Sequence, residues 1–396
     1  MHKYHQEFHL NKFIHNEYND LVIADTFRNV ALSLAAIFIP IFLLEIGFSV
    51  LQLCYYELGL FISSVVFHYY ILAHLPHWGV KKSLIISYLL TIVFYFILYF
   101  SESLISDFGA AGFLFFLGIF NAFPTALYWS AHHVYFIKST DGKNDGKKLG
   151  ILLSVPSILC IASPFIGSIL ITKFDFYGVF VVSIVLMFLA AWALNFSKDM
   201  EPKIKLNLTK IINKKNKRKN LIFFLQGIGY AATSFICPVI LFLMSIKIIS
   251  VGFLFLFSKI FAAATTYLGG KNSDLGKSRN IGRIGAIGHG LSLIFRALST
   301  TVLTMTAFQS MGGFFGGLLG IAIDSSFFKK SHLDIANSIM SRELYMHLGR
   351  IFLIVVLIIL LSFFSIINTL IISLIIAGIT TFALNLVIKS DYSMIS

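Results

Sequence analysis

Long apolar runs alternate with short polar gaps along almost the whole chain. About twelve runs of roughly 18–26 residues can be marked, and each is long enough to cross a hydrocarbon core of about 30 Å as a helix. A backbone exposed to lipid has to satisfy its own hydrogen bonds, so every run is predicted to be helical. We number them spans 1–12: residues 28–47, 50–73, 83–101, 110–136, 149–172, 176–196, 221–244, 248–268, 281–298, 301–324, 348–366 and 368–388. The pattern predicts an all-α, polytopic membrane protein.

The basic residues fall in alternate gaps between these runs. Of the 31 Lys and Arg residues, 27 lie in the N-terminal segment, in every second gap and in the C-terminal tail. The intervening gaps hold only Lys173, Lys247 and Arg296. Short loops rich in Lys and Arg stay on the cytoplasmic side of a membrane. We therefore predict a multi-pass protein of the cell's inner (plasma) membrane with both termini in the cytoplasm.

The composition of the chain argues against two classes of function, nucleic-acid binding and enzyme catalysis. Apolar residues make up 57% of the chain and charged residues 12%. The net charge of +13 does not indicate nucleic-acid binding, because the bases lie in short loops where topology and anionic lipid account for them. The sequence has no paired His boxes, no Gly-x-Ser-x-Gly and no pair of intramembrane Asp residues. We expect no enzyme activity, no cofactor and no metal. The cysteines, which all lie in spans, are Cys54, Cys160 and Cys237.

One long polar connection divides the chain into two halves of six spans. It covers residues 197–220 and contains the run KIINKKNKRK at 210–219. We interpret this basic run as a solvated linker held near anionic headgroups. The predicted parts are a cytoplasmic amphipathic segment (1–27), the N-terminal half (28–196), the linker (197–220), the C-terminal half (221–388) and a cytoplasmic tail (389–396).

The two halves share short sequence features. PHWGVKK at 76–82 closes the gap after span 2, and DLGKSR at 274–279 closes the gap after span 8. KKLG at 147–150 ends the fourth gap, and HLGR at 347–350 ends the tenth. Each offset is close to half the chain length. Two parallel repeats of this kind imply a substrate site between the halves, near the membrane midplane.

With these features the chain resembles the major facilitator superfamily from about Asp25 onward. The most specific match is GKNSDLGKSR at 270–279, which is similar to the family's signature loop of Gly, Asp, Gly and a basic cluster. In the first half, Pro76 stands where the acid belongs. Such a loop acts as a latch, because an Asp can accept from the free amides of a helix end and pair with Lys or Arg. Only the second half has the complete latch.

Two further matches concern the subfamily. SPFIGS at 163–168 in span 5 resembles a degraded form of the Gly-Pro-x-x-Gly-Gly motif of exporters in the family, and close helix packing is an equal explanation. Span 4 has no base over residues 113–126. The Arg that is typical of proton-coupled drug exporters is therefore missing, which argues against a standard drug–proton antiporter.

A charged side chain inside a span indicates a function or a compensating partner, because its insertion into the membrane costs at least about 2.5 kcal/mol. Lys259 lies near the middle of span 8. We expect it to face the space between the halves and to meet a carboxylate such as Glu57, a carbonyl or an anionic substrate. A structural ion pair is the alternative. Glu57 in span 2 and Glu45 at the end of span 1 are candidate proton-coupling groups, although Glu45 could equally be hydrated at the interface.

Span 4 ends in YWSAHH at 128–133. Adjacent helical residues point about 100° apart, so His132 and His133 cannot both be neighbouring ligands of one metal. One of them, assigned as His132, can face the cavity as a proton relay. His68 and His289 are expected to make satisfying hydrogen bonds. Spans 7 and 10 line the cavity in the family, so Gln226, Tyr230 and Gln309 are cavity candidates. Tyr128 and Trp129 of span 4 are further candidates, with an aromatic anchor at the membrane interface as the alternative.

Charged residues at the predicted cytoplasmic ends are candidates for gating. Asp324 could pair with Arg342, Arg350 or Lys330 across the cytoplasmic mouth, either as a gate or as a fixed ion pair. SRELYMHLGR at 341–350 forms a charged entry to span 11. The full set of gating candidates is Gly79, Lys81, Lys82, Gly270, Asp274, Lys277, Arg279, Asp324, Arg342, Glu343 and Arg350.

These features predict a secondary active transporter of a small organic solute that works by alternating access, with export as one option. A non-transporting membrane scaffold or sensor on the same fold is the alternative. The expected partners are the small-molecule substrate, protons or another coupling ion, and membrane lipids, with no nucleic acid. The protein is expected to be a monomer.

Overall fold

The computed structural model describes residues 17–101, 104, 110–139, 156, 158–211, 216–272 and 277–390. All regular structure in this part of the chain is helical. The first half contains α1, which joins Glu17–Ala35, a 3-10 turn at Ala36–Phe38 and Ile39–Glu45, then α2 (Val50–Trp78), α3 (Val80–Tyr99) and α4 (Ala110–Ser139). Its last helix, Ser163–Asn195, is broken at Asp175 into α5 and α6.

The second half repeats this arrangement. Its helices are α7, which joins Lys217–Ala231, a π-helical turn at Ala232–Ile236 and Cys237–Leu243, then α8 (Ile248–Asn272), α9 (Ser278–Ala297), α10 (Val302–Ser331), α11 (Ile335–Leu361) and α12 (Ile366–Ser390). A short helix at Leu208–Ile211 lies in the linker. The architecture is the predicted one, with about twelve membrane helices in two halves.

Ten helical segments in the described residues are long and apolar enough to cross a membrane. The difference from twelve has two sources. The segment Ser163–Asn195 counts once, although Asp175 breaks it with φ 60° and ψ −178°. The other source is α9, which fits predicted span 9 but carries Arg279, Arg283 and Arg296 along its length. Arg296, the charge near the end of α9, is buried inside the bundle and does not face lipid.

The first membrane helix begins earlier than residue 28. The candidate span runs from Asn19 to Glu45, so part of the predicted surface segment continues directly into it. Asp25 and Arg28 consequently lie inside the bundle, with 2% and 7% of their surface exposed. Residues 8–16, like the rest of the predicted amphipathic segment (1–27) before Glu17, fall outside the described part of the chain.

Local sequence explains where several helices begin and end. Ser49 and Gln52 form a reciprocal capping box at the start of α2, and Thr301 and Thr304 form one at the start of α10. Gly79 ends α2 with φ 81°, a conformation that favours glycine. The turns from α1 to α2, from α2 to α3 and from α9 to α10 are therefore tight, which places these neighbouring helices antiparallel.

The halves meet along several helix pairs. Packing joins α2 and α4 of the first half to α11, and joins α5 to α8. The linker lies at the start of α11, where the Asn207 amide donates to Asn337 Oδ1 at 2.7 Å and Lys210 pairs with Asp334 at 3.1 Å. We call this end of the bundle the linker end. The opposite end holds Glu45, Asp175 and Lys247.

Candidate functional site

A cluster of charged and histidine side chains joins the two halves near the linker end. It consists of His68 from α2, His133 from α4, Asp324 from α10, and Arg342, Glu343 and His347 from α11. We call it the inter-half cluster. Most of these side chains are almost completely buried. Charges at such a depth are stable only when other polar groups surround them.

One oxygen of Glu343 faces Arg342 and His133. Glu343 Oε1 lies 3.5 Å from Arg342 Nη1 and 3.4 Å from His133 Nε2. Arg342 Nη1 is also 2.6 Å from His133 Nε2. The second terminal nitrogen of Arg342, Nη2, donates to Asp324 Oδ1 at 2.9 Å. The guanidinium therefore links a carboxylate of α10 to a histidine of the first half. Of the three bases considered for Asp324, Arg342 is the one it contacts.

The second oxygen of Glu343 faces two imidazole rings. Oε2 lies 3.5 Å from His68 Nε2 and 3.9 Å from His347 Nε2. His68 is held from behind, because its Nδ1 is 2.8 Å from Ser130 Oγ of α4. Glu343 and His347 are four residues apart on α11, so they project from the same face of the helix. The carboxylate thus divides its contacts between two sets of groups.

A second buried cluster lies within the first half, between α1 and α4. Asp25 Oδ2 is 2.6 Å from His132 Nε2, and Asp25 Oδ1 accepts from the Tyr128 hydroxyl at 2.8 Å. The Arg28 guanidinium carbon lies 3.3 Å from the centre of the Tyr128 ring and 5.7 Å from that of Trp129. Arg28 therefore gains a cation–π contact where its charge would otherwise be poorly solvated.

The adjacent histidines of α4 point in different directions, as helical geometry requires. His132 reaches Asp25 within its own half, whereas His133 reaches Glu343 and Arg342 of the other half. Their rings are 5.7 Å apart and nearly perpendicular. The end of α4 therefore connects the two buried clusters.

Glu57 and Tyr230 lie around Arg350, one helical turn beyond the inter-half cluster on α11. Glu57 is buried and interacts electrostatically with Arg350. The Arg350 guanidinium carbon is 5.4 Å from the Phe61 ring and 5.8 Å from the Tyr230 ring. Gln226 donates to the Tyr230 hydroxyl at 3.1 Å. These candidates from α2, α7 and α11 thus form one group, and 37% of Tyr230 remains exposed.

Lys259 lies on the face of α8 that packs against α5. Two turns earlier on α8, Gly252 sits so close to α5 that a Cβ there would be 2.2 Å from Ser168 Oγ. Lys259 is half-buried and interacts electrostatically with Cys160 of the first half. Within the described residues it has no hydrogen bond or carboxylate partner, and Glu57 interacts with Arg350 instead. The expected Lys259–Glu57 pair is therefore not formed in this conformation.

Arg296 and Gln309 form a separate buried group. Arg296 was assigned to an outer gap, but only 1% of its surface is exposed. It donates to Gln309 Oε1 at 2.6 Å and to Ser292 Oγ at 3.0 Å, and its Nη1 lies 3.4 Å from Cys237 Sγ. Gln309 is accordingly engaged by Arg296 rather than lining an open cavity. His289 makes the expected polar contact, 3.2 Å from the Gly312 carbonyl oxygen.

Glu45 lies apart from both clusters, at the opposite end of the bundle. It is exposed and lines a surface groove with Lys173, Asp175 and Lys247. The first-half latch loop is at the linker end, where Lys81 contacts the end of α6. Its amide donates to Asp199 Oδ1 at 2.9 Å, and its ammonium donates to the Asn195 and Ser197 carbonyl oxygens.

Asp199 supplies the acid that the first-half loop lacks at position 76. A Cβ on Gly79 would be 2.5 Å from the Asp199 carboxylate, so this close approach requires glycine. Lys82 is exposed beside it. In the second-half loop, Gly270 is buried, Lys277 is exposed and Arg279 is half-buried, whereas Asp274 lies outside the described residues.

Sequence reasoning missed several members of these clusters. The predicted span 1 leaves Asp25 outside and has Arg28 as its first residue, and a start at Asn19 would have marked both as intramembrane charges. His347 was noted only within a repeated motif, and Asp199 only as part of the linker. The i, i+4 spacing of Glu343 and His347 was the one available signal that they share a face.

Comparisons with known proteins agree with this architecture. The family model described as Major Facilitator Superfamily matches residues 21–341. No curated protein sequence matches the chain. Among solved structures, the nucleoside transporter NupG is similar at a TM-score of 0.69 and 13% identity, covering 96% of this chain and 100% of that one.

Two further structures show the same similarity of fold. The E. coli fucose:proton symporter FucP aligns with a TM-score of 0.66 and 11% identity over 94% of this chain and 98% of its own. The human organic anion transporter MFSD10 (TETRAN) aligns at 0.65 and 9% identity over 93% and 98%. The chain belongs to the major facilitator superfamily.

Proposed function

We propose that the protein is a secondary active transporter that moves a small organic solute by alternating access between its two halves. The observation that carries this proposal is the inter-half cluster. It joins α2 and α4 to α10 and α11 through polar contacts that can be exchanged for water when the halves separate. Apolar packing alone would give no comparable means of closing and reopening one end of the bundle.

We further propose that the solute carries an anionic group that Lys259 binds. A Lys at this depth is costly unless something compensates its charge. Among the described residues no carboxylate does so, and the side chain is only half-buried at the junction of α8 with the first half. An anion entering between the halves would supply the missing partner. The group around Tyr230, Gln226 and Arg350 would bind the remainder of the solute.

We propose protons as the coupling ions. Asp25 Oδ2 and His132 Nε2 form a buried pair at 2.6 Å, and a carboxylate and an imidazole in such contact can pass a proton between them. Tyr128 donates to Asp25, and Arg28 lies over the ring of Tyr128. The predicted membrane is the inner (plasma) membrane, and the linker end is proposed to face the cytoplasm.

Counterflow in proteoliposomes tests the transport proposal. Candidate solutes come from an unbiased metabolite comparison of deletion and overexpression strains. Each is then supplied as a labelled solute outside vesicles preloaded with the unlabelled form. Labelled anionic solute should accumulate transiently, and a matched neutral solute should not. No counterflow by a folded, reconstituted protein for any solute that the strain comparison identifies would favour the scaffold or sensor.

Lys259→Met tests the assignment of the anion site. The variant should insert at least as well as the parent, because a costly charge is removed. Counterflow of the anion should fall at least tenfold, and Lys259→Arg should restore it only in part. Lys247→Met is the matched control, since Lys247 is exposed at the opposite end. Normal anion counterflow by Lys259→Met would remove Lys259 from the binding site.

A further inference from the structure

Three side chains of the inter-half cluster have the chemistry of metal ligands. His68 comes from the first half, and Glu343 and His347 come from the second. One ligand atom from each lies within 4.8 Å of the ligand atoms of the other two, and all three residues are buried. Glu343 Oε2 is 3.5 Å from His68 Nε2 and 3.9 Å from His347 Nε2.

The ring nitrogen of His68 is already oriented for a cation. Its Nδ1 lies 2.8 Å from Ser130 Oγ, and in the tautomer in which Nδ1 donates to that oxygen, Nε2 presents a lone pair. That Nε2 is buried and has no hydrogen-bond partner. It points at an acceptor oxygen and at a second imidazole, so three electron-pair donors face one another. A cation bound between them would accept an electron pair from each of the three.

We propose that His68, Glu343 and His347 bind a divalent transition-metal ion of the Zn²⁺ or Co²⁺ type. Two imidazole nitrogens and one carboxylate oxygen are a ligand set that such ions use, with a fourth position left for water or solute. Ligands on a tetrahedral ion at about 2.0–2.1 Å lie about 3.3 Å from each other. The separation of Glu343 Oε2 from His68 Nε2 would then shorten by about 0.2 Å, and its separation from His347 Nε2 by about 0.6 Å. The two imidazole nitrogens lie within 4.8 Å of each other and would approach by up to about 1.5 Å.

The local charge permits such an ion. Arg342 lies on the Oε1 side of Glu343 and is also bound to Asp324, so its positive charge is shared between two carboxylates. Arg350 interacts electrostatically with Glu57 and Glu343. Three carboxylates thus face two guanidinium groups in this region, which leaves one negative charge. Glu343 Oε2 is the carboxylate oxygen that faces imidazoles instead of arginine.

A bound ion would connect α2 of one half to α11 of the other. The site itself rests on the geometry of the three ligands and not on the proposed transport activity. Its consequence for transport does rest on the proposed function. The ion would hold the linker end closed and would slow the opening of that end.

Metal binding is measured directly on the purified protein. The full chain, without an affinity tag, is stripped with EDTA in detergent and titrated with Co²⁺ while visible absorption is recorded, and with Zn²⁺ by calorimetry. The background carries His2→Gln, His5→Gln and His9→Gln, because these N-terminal histidines could compete for the ion. We expect one ion per chain and a d–d absorption of low-coordinate Co²⁺ with nitrogen ligands.

Single variants locate the site. His347→Gln and His68→Gln should each weaken binding at least about tenfold, as loss of one ligand in a three-ligand site implies. The control His77→Gln changes an exposed histidine of α2 and should bind like the parent. Size-exclusion profiles and metal-free thermal unfolding establish that each variant is folded.

Two results would overturn the proposal. If the parent binds neither ion at micromolar concentration, the three groups share only a proton. If the parent binds but both Gln variants bind equally well, the ion occupies another place. Should a variant fail to fold, the Co²⁺ spectrum of the parent still decides, because a six-coordinate, oxygen-type spectrum excludes this ligand set.

Discussion

At the scale of single residues, the inter-half cluster depends on Arg342 serving two partners in different elements. Its guanidinium group contacts Asp324 of α10 at 2.9 Å and His133 of α4 at 2.6 Å. A planar group with five N–H donors can make these contacts from two separate nitrogens, whereas a lysine would have to make both from one. The planar guanidinium therefore holds α4, α10 and α11 together at one point.

Asp324→Asn is expected to weaken this junction. The amide keeps the shape of the carboxylate but loses a charge-assisted hydrogen bond, worth about 1.5–3 kcal/mol. Thermal unfolding in detergent should show a lower midpoint for the variant. The control is Lys210→Ala, which breaks the exposed pair with Asp334 and should cost at most about 1 kcal/mol. An unchanged midpoint for Asp324→Asn would mean that the pair contributes nothing to the closed linker end.

At the scale of helices, small residues set how closely the halves approach. Gly252 of α8 is the clearest case, because an added Cβ would lie 2.2 Å from Ser168 Oγ and 2.9 Å from the Pro164 carbonyl oxygen of α5. The backbone atom cannot move aside as a flexible side chain can. The α5–α8 contact thus needs glycine, as small-residue packing in membrane helices generally does.

Gly252→Ala should force α8 away from α5 and destabilise the closed arrangement. We expect a lower thermal midpoint and faster modification of Cys160, which is buried just before the start of α5. Gly320→Ala in α10 provides the comparison, because no atom lies within 4 Å of its added Cβ. The proposed packing would be wrong if the two alanine variants behaved alike.

The helices themselves were predictable, because about 20 apolar residues in a row have one stable state in lipid. Their boundaries were less so. Asp25 and Arg28 look like polar flanking residues until the contacts with Tyr128 and His132 compensate them. The kink at Asp175 depends on its carboxylate accepting from the Phe176 amide at 2.6 Å. Neither the contacts of Asp25 and Arg28 nor the hydrogen bond at Asp175 can be read from the hydropathy of the sequence.

The clusters were predictable only in part, because their members are distant in sequence. Arg342, Glu343 and Asp324 were recognised as charges near one membrane face. That His68 and His133 meet them required knowing that α2 and α4 pack on α11 across the two halves. Lys259 was identified by its depth, but its distance from Glu57 follows from tertiary packing alone.

At the scale of the whole molecule, the alternation of basic gaps predicts which end faces the cytoplasm. A cysteine at exposed Asn216 in the linker end should react with membrane-permeant reagents only. A cysteine at exposed Lys247 should react with impermeant reagents added outside. The native cysteines are buried and give a low background. Labelling of the Asn216→Cys protein from outside would reverse the topology.

The two halves are proposed to move against each other, so that one end of the bundle opens as the other closes. Distances between spin labels test this directly in lipid. One pair at Lys82 and Lys329 spans the halves at the linker end, and another at Ser49 and Thr301 spans them at the opposite end. All four side chains are exposed.

Each pair should show two distance populations in the parent protein, measured by double electron–electron resonance. In Asp324→Asn, the longer population should grow at the linker end, and the shorter population should grow at the opposite end by a similar fraction. A single, unchanged distance at both ends in parent and variant would contradict alternating access and would describe a rigid scaffold.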